Sequence, residues 1–234
     1  MQGGPDAGKL YGKVRARVSD LVRLLGAAEL ATPAPCCPDW TVQDIAAHLA
    51  GAAADFLRGD LAGAATPAWT AAQVAARAGR PIGAILDEWD VVGPQLEAFL
   101  GAQPRPLPPL FDVTMHEHDI RGALGLPGAR DTVEMELTMR AAVRALGRRI
   151  SEVGLPAVAV HAEDVHPAPA LGERLLAGEG EPGAELAGTR FELARALFGR
   201  RSTAQVAGLA WRGDPGPYLP IFSIFPAAAT EIVE

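Results

Sequence analysis

The stretch CPDWTVQDIAAHL at residues 37–49 predicts the start of a helix that carries an inward-facing histidine. Thr41, followed three residues later by Asp44, forms an acidic variant of the capping box, in which each side chain accepts a hydrogen bond from the other residue's backbone N–H. The apolar residues that follow recur at helical spacing, and His48 lies on the same side as Ile45. We therefore expect His48 to point into the protein interior.

The first two thirds of the chain are predicted to be helical. Apolar residues recur there at three- and four-residue steps, which places them on one face of each helix. Prolines and glycines separate the helical stretches, and residues 59–79 are so weakly periodic that we expect a connection with at most a short helix. The predicted helices cover approximately residues 10–30, 41–56, 81–100, 110–124 and 131–153.

The last third of the chain has a different pattern. Short apolar runs predict strands, and capping-box patterns beginning at Thr189 and Ser202 predict two short helices. The sequence therefore predicts two domains, an all-α domain over residues 1–153 and a small α+β domain over residues 154–234. The predicted strands cover residues 155–161, 171–177 and 206–211.

Charge and hydropathy limit the classes of function. The formal net charge of -7 and the pI near 5.3 argue against a nucleic-acid partner, which would require a basic face. The apolar runs are too short for a transmembrane helix, and the first residues lack the apolar core of a secretory signal. We expect a cytoplasmic protein with no nucleic-acid partner and no membrane partner.

The two cysteines, Cys36 and Cys37, are adjacent in the sequence. Adjacent cysteines rarely form a disulfide with each other because the resulting ring is strained, and there is no CxxC pair for a metal. We interpret them as small, partly buried thiols at the beginning of a helix rather than as a redox pair.

A possible metal site combines two of the five histidines with one aspartate. Asp112 and His116 are four residues apart on one predicted helix, so their Cβ atoms lie about 6 Å apart on the same face. His48 would approach from a facing helix. Two imidazoles and one carboxylate suit Zn, Fe, Ni, Co or Mn, and three protein ligands leave positions open for water or substrate. The pattern predicts a catalytic divalent-metal site on His48, Asp112 and His116.

A second interpretation of these residues requires no metal. Asp112 and His116 would then share a hydrogen bond, and His48 would be a histidine with its hydrogen bonds satisfied in the core. The spacing alone leaves both interpretations open. The other histidines of the second domain, His161 and His166, have no predicted partner.

Four further polar residues follow His116 in the run MHEHDIR. Neighbouring residues on a helix point about 100° apart, so Glu117 and His118 are not expected to share the ligand face. We expect His118 on the surface. Asp119 and Arg121 are expected to form structural ion pairs or hydrogen bonds near the end of the helix.

Two motifs resemble the maleylpyruvate isomerase-like, mycothiol-dependent family, whose N-terminal domain is DinB-like. Residues 37–49 resemble the segment C-P-x-W-T-V-x-D-x-x-x-H-L, and the stretch that begins at Asp112 resembles E-x-x-x-H-x-x-D-x-R-x-A-L-G. The stretches LARALFGRRS at 193–202 and LAWRGDPGPY at 209–218 resemble the sterol-carrier-like C-terminal domain of the family. The resemblance implies an all-α four-helix bundle of the DinB type followed by a small α+β domain.

The resemblance also implies which residues bind the metal. In the family, three residues form a metal triad: the histidine of the first motif, and the acid and the histidine of the second motif. The corresponding residues here are His48, Asp112 and His116. The family usually has glutamate at the position of Asp112. Because aspartate is one methylene shorter, we expect a shifted ion, a bridging water or a weaker affinity.

The implied chemistry is that of a low-molecular-weight thiol. A metal, with zinc the first choice and nickel, iron, cobalt or manganese as alternatives, would bind the thiol of mycothiol and stabilise its thiolate. The thiolate would attack a small electrophile of maleylpyruvate type, which gives isomerisation, or another electrophile, which gives S-transfer. The triad has no predicted protein nucleophile beside it, in agreement with an external thiol. Arg200, Arg201 or Arg212 is expected to hold an anionic group.

Two other functions remain open at this stage. The chain could be a non-catalytic small-molecule-binding protein with a degenerate metal site, in which the second domain carries the ligand. It could also be a metal-dependent hydrolase that acts through a metal-bound water. A thiol transferase or isomerase requires a thiol for turnover, a hydrolase does not, and a binding protein shows no turnover.

Overall fold

The computed structural model describes residues 5–164 and 174–234. The chain forms two compact units that divide after Pro127, and Glu234 groups with the first unit. His166 and the first residues of the strand predicted at 171–177 lie outside the described residues. Within the described part of the chain, the helices are too short or too polar to cross a membrane.

The first unit is helical, apart from one small hairpin. Apolar residues at helical spacing form the long helices, and prolines or glycines stand at several of their ends. Its elements are α1 (Ala7–Arg23), α2 (Ala27–Leu30), β1 (Pro33–Ala34), β2 (Cys37–Thr41), α3 (Val42–Arg58), α4 (Pro67–Ala75), α5 (Ile82–Gly101) and α6 (Pro108–Leu124).

Four long helices build the core of this unit. Both α1 and α3 pack against α5 and against α6, so each of the four contacts two others. Trp89 of α5 is fully buried in this core, and its indole N–H donates a hydrogen bond of 3.0 Å to the hydroxyl of Tyr11 on α1. Buried tryptophan requires such a partner because an unpaired indole N–H is costly away from water.

The second unit combines a mixed sheet with helices. The strand order is β4-β3-β5-β6, in which β3 and β5 are parallel and the other two pairs are antiparallel. The helical character predicted for the first part of the chain and the α+β character predicted for the last part are both confirmed. The elements are α7 (Val133–Val153), β3 (Ala157–Ala162), β4 (Arg174–Ala177), β5 (Pro182–Gly188), α8 (Arg190–Leu197), α9 (Thr203–Ala207), β6 (Ala210–Arg212) and a 3-10 turn (Leu219–Ile221).

The division between the units differs from the predicted boundary at 153/154. Helix α7 packs against α8 and β4 and belongs to the second unit. Gly147 permits this packing, since a Cβ at that position would lie only 2.6 Å from the backbone nitrogen of Gly178. The predicted boundary follows the change from helix to strand in the sequence. The boundary of the compact unit lies before α7, because α7 packs against elements of the second unit.

Other differences concern short elements. The helix predicted over 10–30 is divided after Arg23, and α2 begins at Ala27 after its N-cap Gly26. Residues 206–211 were predicted to lead into a strand, and β6 follows there at Ala210–Arg212. Strand β5 was not predicted, because Gly183 and several alanines interrupt the alternation typical of strands. The β1–β2 hairpin was also missed, since its prolines indicated only a helix break.

The capping box predicted at the start of α3 is confirmed. The backbone N–H of Asp44 donates to Oγ1 of Thr41 over 3.2 Å, and the backbone N–H of Thr41 donates to Oδ2 of Asp44 over 2.9 Å. Since β2 ends at Thr41, the box fixes the point at which the hairpin becomes the helix. It thereby sets the position of His48, two turns further along α3.

We predict that Thr41→Ala lowers the free energy of unfolding by about 1 kcal/mol, because one backbone N–H of the first helical turn loses its acceptor. Thr41→Ser is the matched control and keeps the hydroxyl, so its stability should remain within about 0.5 kcal/mol of the unmodified protein. Denaturant unfolding followed by circular dichroism measures both values. Equal stability of the alanine and serine variants would contradict the role of the cap.

Candidate metal centre

Helices α3 and α6 bring together the three residues predicted to bind metal. Nε2 of His48 lies 3.3 Å from Oδ2 of Asp112, and Nε2 of His116 lies 3.5 Å from Oδ1 of the same carboxylate. One potential ligand atom from each of the three residues lies within 4.8 Å of the other two. The helical spacing places Asp112 one turn before His116, and the packing of α3 against α6 supplies the second imidazole.

The other ring nitrogen of His48 is held by an amide. Nδ1 lies 2.7 Å from Oε1 of Gln73 on α4, and the amide nitrogen of Gln73 donates to Oδ2 of Asp55 over 2.7 Å. Because the carboxylate of Asp55 accepts from the amide NH₂, the oxygen of Gln73 must face the histidine and accept from Nδ1–H. This network leaves the lone pair of Nε2 directed at Asp112.

The other ring nitrogen of His116 faces a second carboxylate. Nδ1 lies 2.9 Å from Oδ2 of Asp119, whose side chain is completely buried. Histidines that bind metals commonly donate the N–H of the second ring nitrogen to a carboxylate or carbonyl, which sets the tautomer. His48 has this form, with the amide oxygen of Gln73 as the acceptor, whereas Nδ1 of His116 contacts the carboxylate of Asp119 without the geometry of a hydrogen bond.

The convergence of these groups has an electrostatic consequence. Both Nε2 atoms face the carboxylate of Asp112 over 3.3 Å and 3.5 Å, and the hydrogen bond of Nδ1 to Gln73 leaves the Nε2 of a neutral His48 with a lone pair. A cation among the three would satisfy all of them. A hard or borderline divalent ion suits this donor set, since imidazole and carboxylate are its ordinary ligands.

Aromatic rings enclose the histidines. The ring of Trp40 lies 5.0 Å from that of His48 and 5.9 Å from that of His116, and Trp69 makes an edge contact with His48 at 6.4 Å. The two histidine side chains are almost fully buried, whereas that of Asp112 is 37% exposed. The site is therefore closed around the imidazoles and open beside the carboxylate.

Tyr11 contributes a neutral hydroxyl to the same helical core. Burial raises the pKa of Tyr11 far above that of an ordinary phenol, the hydrogen bond from Trp89 lowers it somewhat, and the charge of Asp112 raises it further. The phenol therefore stays protonated at neutral pH. It adds no negative charge beside the carboxylate of Asp112.

Residues next to His116 differ from expectation in two respects. The prediction that His118 lies on the surface was wrong, since it is only 3% exposed. The reason is that α6 is covered by α1, α3 and the β1 strand, so several sides of it are buried. Asp119 does form a local ion pair, as expected, but with the candidate ligand His116.

Glu117 and Arg121 form a structural cluster with α1. The guanidinium of Arg17 donates to both oxygens of Glu117 over 2.9 Å and 2.7 Å, and Arg121 donates to the same carboxylate over 3.1 Å. Glu117 therefore has a structural role in holding α6 against α1. Its absence from the group of candidate ligands agrees with the prediction from helical geometry.

The predicted anion-binding arginines lie in the second unit. Arg201 makes a double hydrogen bond to Glu192 over 2.6 Å and 2.9 Å, and Arg200 donates to the carbonyl of Phe198. Arg212 is 87% exposed and lies 3.9 Å from Glu185. Of the three, Arg212 presents the most accessible guanidinium.

The same surface of the second unit includes His161, for which no partner was predicted. Its Nε2 lies 3.9 Å from Oε2 of Glu185. Both residues line a shallow depression of about 350 Å³ together with Glu163, Trp211 and Arg212. The depression has two carboxylates at its border.

The sequence analysis missed two residues beside the triad. Gln73 was missed because α4 has weak apolar periodicity, and its approach to α3 depends on Gly51, where a Cβ would lie 2.7 Å from the Cβ of Gln73. A protein nucleophile near the triad was also not expected. Cys37 contradicts that expectation, since its Sγ donates to Oδ2 of Asp119 over 3.5 Å.

Part of the first unit matches a known protein family. Residues 11–121 match the family described as the mycothiol maleylpyruvate isomerase N-terminal domain. No curated protein sequence matches the chain.

Two solved structures are similar over most of the chain. They are a mycothiol-dependent maleylpyruvate isomerase and a point mutant of such an enzyme, each with a TM-score of 0.52 and 16% sequence identity. Each comparison covers 86% of this chain and 92% of the other. At this identity the likeness shows a common fold.

We predict that His48 in the metal-free protein is protonated on Nδ1 when its ring is neutral, because Gln73 offers only an acceptor to that nitrogen. Heteronuclear NMR of the imidazole nitrogens distinguishes the two tautomers. Gln73→Leu should give a mixture of tautomers, whereas Gln95→Leu, which changes an exposed glutamine of α5, should leave the signal unchanged. Protonation of His48 on Nε2 in the unmodified protein would contradict the assigned network.

Proposed function

We propose, from the premise that residues 11–121 belong to the mycothiol maleylpyruvate isomerase N-terminal domain family, that this chain is a metal-dependent enzyme that uses a low-molecular-weight thiol. Its substrate would be a small electrophile of the maleylpyruvate type, which it isomerises or joins to the thiol. The thiol cosubstrate is mycothiol, and the fold of the first unit is a DinB-like four-helix bundle. The metal ligands are His48, Asp112 and His116.

The observation that carries this proposal is the convergence of three lone-pair donors. The Nε2 atoms of His48 and His116 face one carboxylate, while Nδ1 of His48 is hydrogen-bonded to Gln73 and Nδ1 of His116 lies 2.9 Å from Oδ2 of Asp119. Two buried histidines with only a structural role would not need to direct their Nε2 atoms at the same carboxylate. The arrangement matches the requirement of a metal for two correctly directed imidazoles.

The donor set also supports an exchangeable coordination position. Three protein ligands leave a tetrahedral ion with one position for water or an added ligand, and the partly exposed side of Asp112 is where such a ligand could enter. When bound, a divalent metal would supply the positive charge that stabilises a thiolate at neutral pH. Zinc suits the ligands best, and nickel, iron, cobalt and manganese share the preference for imidazole and carboxylate.

Residues around the two histidines would orient them for metal binding. Gln73 holds the tautomer of His48, Asp119 lies against Nδ1 of His116, and the rings of Trp40 and Trp69 limit the access of water to the two histidines. Low access of water strengthens electrostatic interactions within the site. Cys37 does not replace the external thiol in this proposal, because it contacts Asp119 on the Nδ1 side of His116, away from Nε2.

We propose that Asp112 determines how tightly the site binds a metal. Its side chain is shorter than the glutamate usual in the family, and each of its oxygens faces a different histidine. We propose that Asp112 would hold the metal through its carboxylate, together with the two Nε2 atoms that it faces, and that the shorter side chain would weaken this binding.

We predict that the protein purified without added metal or a histidine tag contains close to one divalent metal ion per chain. His116→Ala should reduce this to a small fraction, because two ligands cannot hold the ion through dialysis against a weak chelator. His161→Ala, which changes a histidine of the second unit, is the matched control and should retain the metal. Elemental analysis by mass spectrometry gives the content. An unmodified protein that holds no metal even after reconstitution would contradict the proposal.

We predict that the metal-loaded protein converts maleylpyruvate-type electrophiles only when mycothiol is added. Isomerisation and thioether formation are followed by absorbance and by mass spectrometry, and His48→Ala should abolish both because the ion is lost. Turnover without the thiol would instead identify a metal-dependent hydrolase. Metal binding without any turnover over a panel of electrophiles would favour a non-catalytic binding protein.

A further inference from the structure

The thiol of Cys37 is connected to the candidate metal site by one carboxylate oxygen. Sγ of Cys37 donates to Oδ2 of Asp119 over 3.5 Å, and the same oxygen lies 2.9 Å from Nδ1 of His116. The Nε2 atom on the other side of that ring faces Asp112. A continuous path of contacts therefore runs from the thiol through a buried carboxylate and an imidazole to the triad.

The two ends of this path are held by different elements. Cys37 begins β2 and pairs with Ala34 across the hairpin, so its backbone position is fixed by strand pairing. Asp119 lies on α6, and its side chain has no exposed surface. A carboxylate that is removed from water needs hydrogen-bond donors, because its desolvation is otherwise costly.

We propose that Cys37 is a positioning residue for the metal ligand His116. Its S–H donates to Asp119 and keeps Oδ2 of that residue in its position 2.9 Å from Nδ1 of His116. This inference rests on the proposed function, since His116 has a ligand to orient only if a metal binds. It gives the partly exposed thiol a defined role in place of the general packing role expected from the sequence.

The adjacent thiol provides a comparison within the same chain. Sγ of Cys36 lies 3.4 Å from Oε1 of Glu234 and donates to that carboxylate instead. Both thiols are partly exposed, and both have a carboxylate acceptor. The hydrogen bond of Cys37 goes to the carboxylate that contacts His116 and that of Cys36 goes to Glu234, so the two cysteines should differ in their effect on the metal site.

The proposal predicts that alkylation or oxidation of Cys37 weakens metal binding without direct contact with the ion. Either modification removes the S–H donor and adds bulk beside Asp119. Loss of a residue that orients a metal ligand typically lowers metal affinity by about 10- to 100-fold. Since Cys37 acts through Asp119, we expect a loss near the lower end, about 10-fold.

The test compares Cys37→Ala, Cys37→Val and Cys37→Ser with Cys36→Ala as the matched control. Alanine and valine remove the donor, and valine keeps more of the side-chain volume, so one of the two should fold even if the other is unstable. Serine restores a donor. Competition with a chelator measures zinc affinity, and heteronuclear NMR of the metal-free protein reports the tautomer of His116.

We expect the alanine and valine variants to bind zinc about 10-fold more weakly and to show mixed tautomers at His116. The serine variant should recover most of both properties, and Cys36→Ala should match the unmodified protein. An unchanged tautomer in the alanine and valine variants would overturn the proposal. If the unmodified protein bound no zinc but the tautomer still depended on Cys37, the contact path would stand and the proposed function would fail.

Discussion

The carboxylate of Asp112 lies between two imidazole nitrogens, 3.3 Å from Nε2 of His48 and 3.5 Å from Nε2 of His116. Nδ1 of His48 is hydrogen-bonded to Gln73, and Nδ1 of His116 contacts the buried carboxylate of Asp119. Such a group is stabilised when a positive charge lies among its members, because the acceptors otherwise repel one another. In the proposed function a divalent metal would supply that charge, and the contacts around the two imidazoles would help to direct their nitrogens at it.

The fold of the first unit brings His48, Asp112 and His116 together. Four helices that each contact two others bring α3 and α6 together, while the β1–β2 hairpin and α4 contribute the residues that hold the histidines in place. The two histidines are held differently, His48 by a neutral amide and His116 by a buried carboxylate.

The sequence predicted the residues that depend on local spacing. Asp112 and His116 follow from helical periodicity, and His48 follows from its position on the apolar side of a capped helix. Gln73 could not be predicted, because the contact of α4 with α3 depends on a close approach at Gly51 that leaves no local pattern. His118 was assigned to the surface, since a helix buried on several sides does not show which of its polar residues are enclosed.

The central claim is that His48, Asp112 and His116 hold one metal ion with a position left for a thiol, and X-ray absorption at the metal edge of the purified protein tests it directly. The account predicts only nitrogen and oxygen neighbours at about 2.0–2.2 Å, with two imidazole rings, and one sulfur neighbour at about 2.3 Å after mycothiol is added. Sulfur in the coordination shell without added thiol would place the ion on the cysteines. That result would contradict the account.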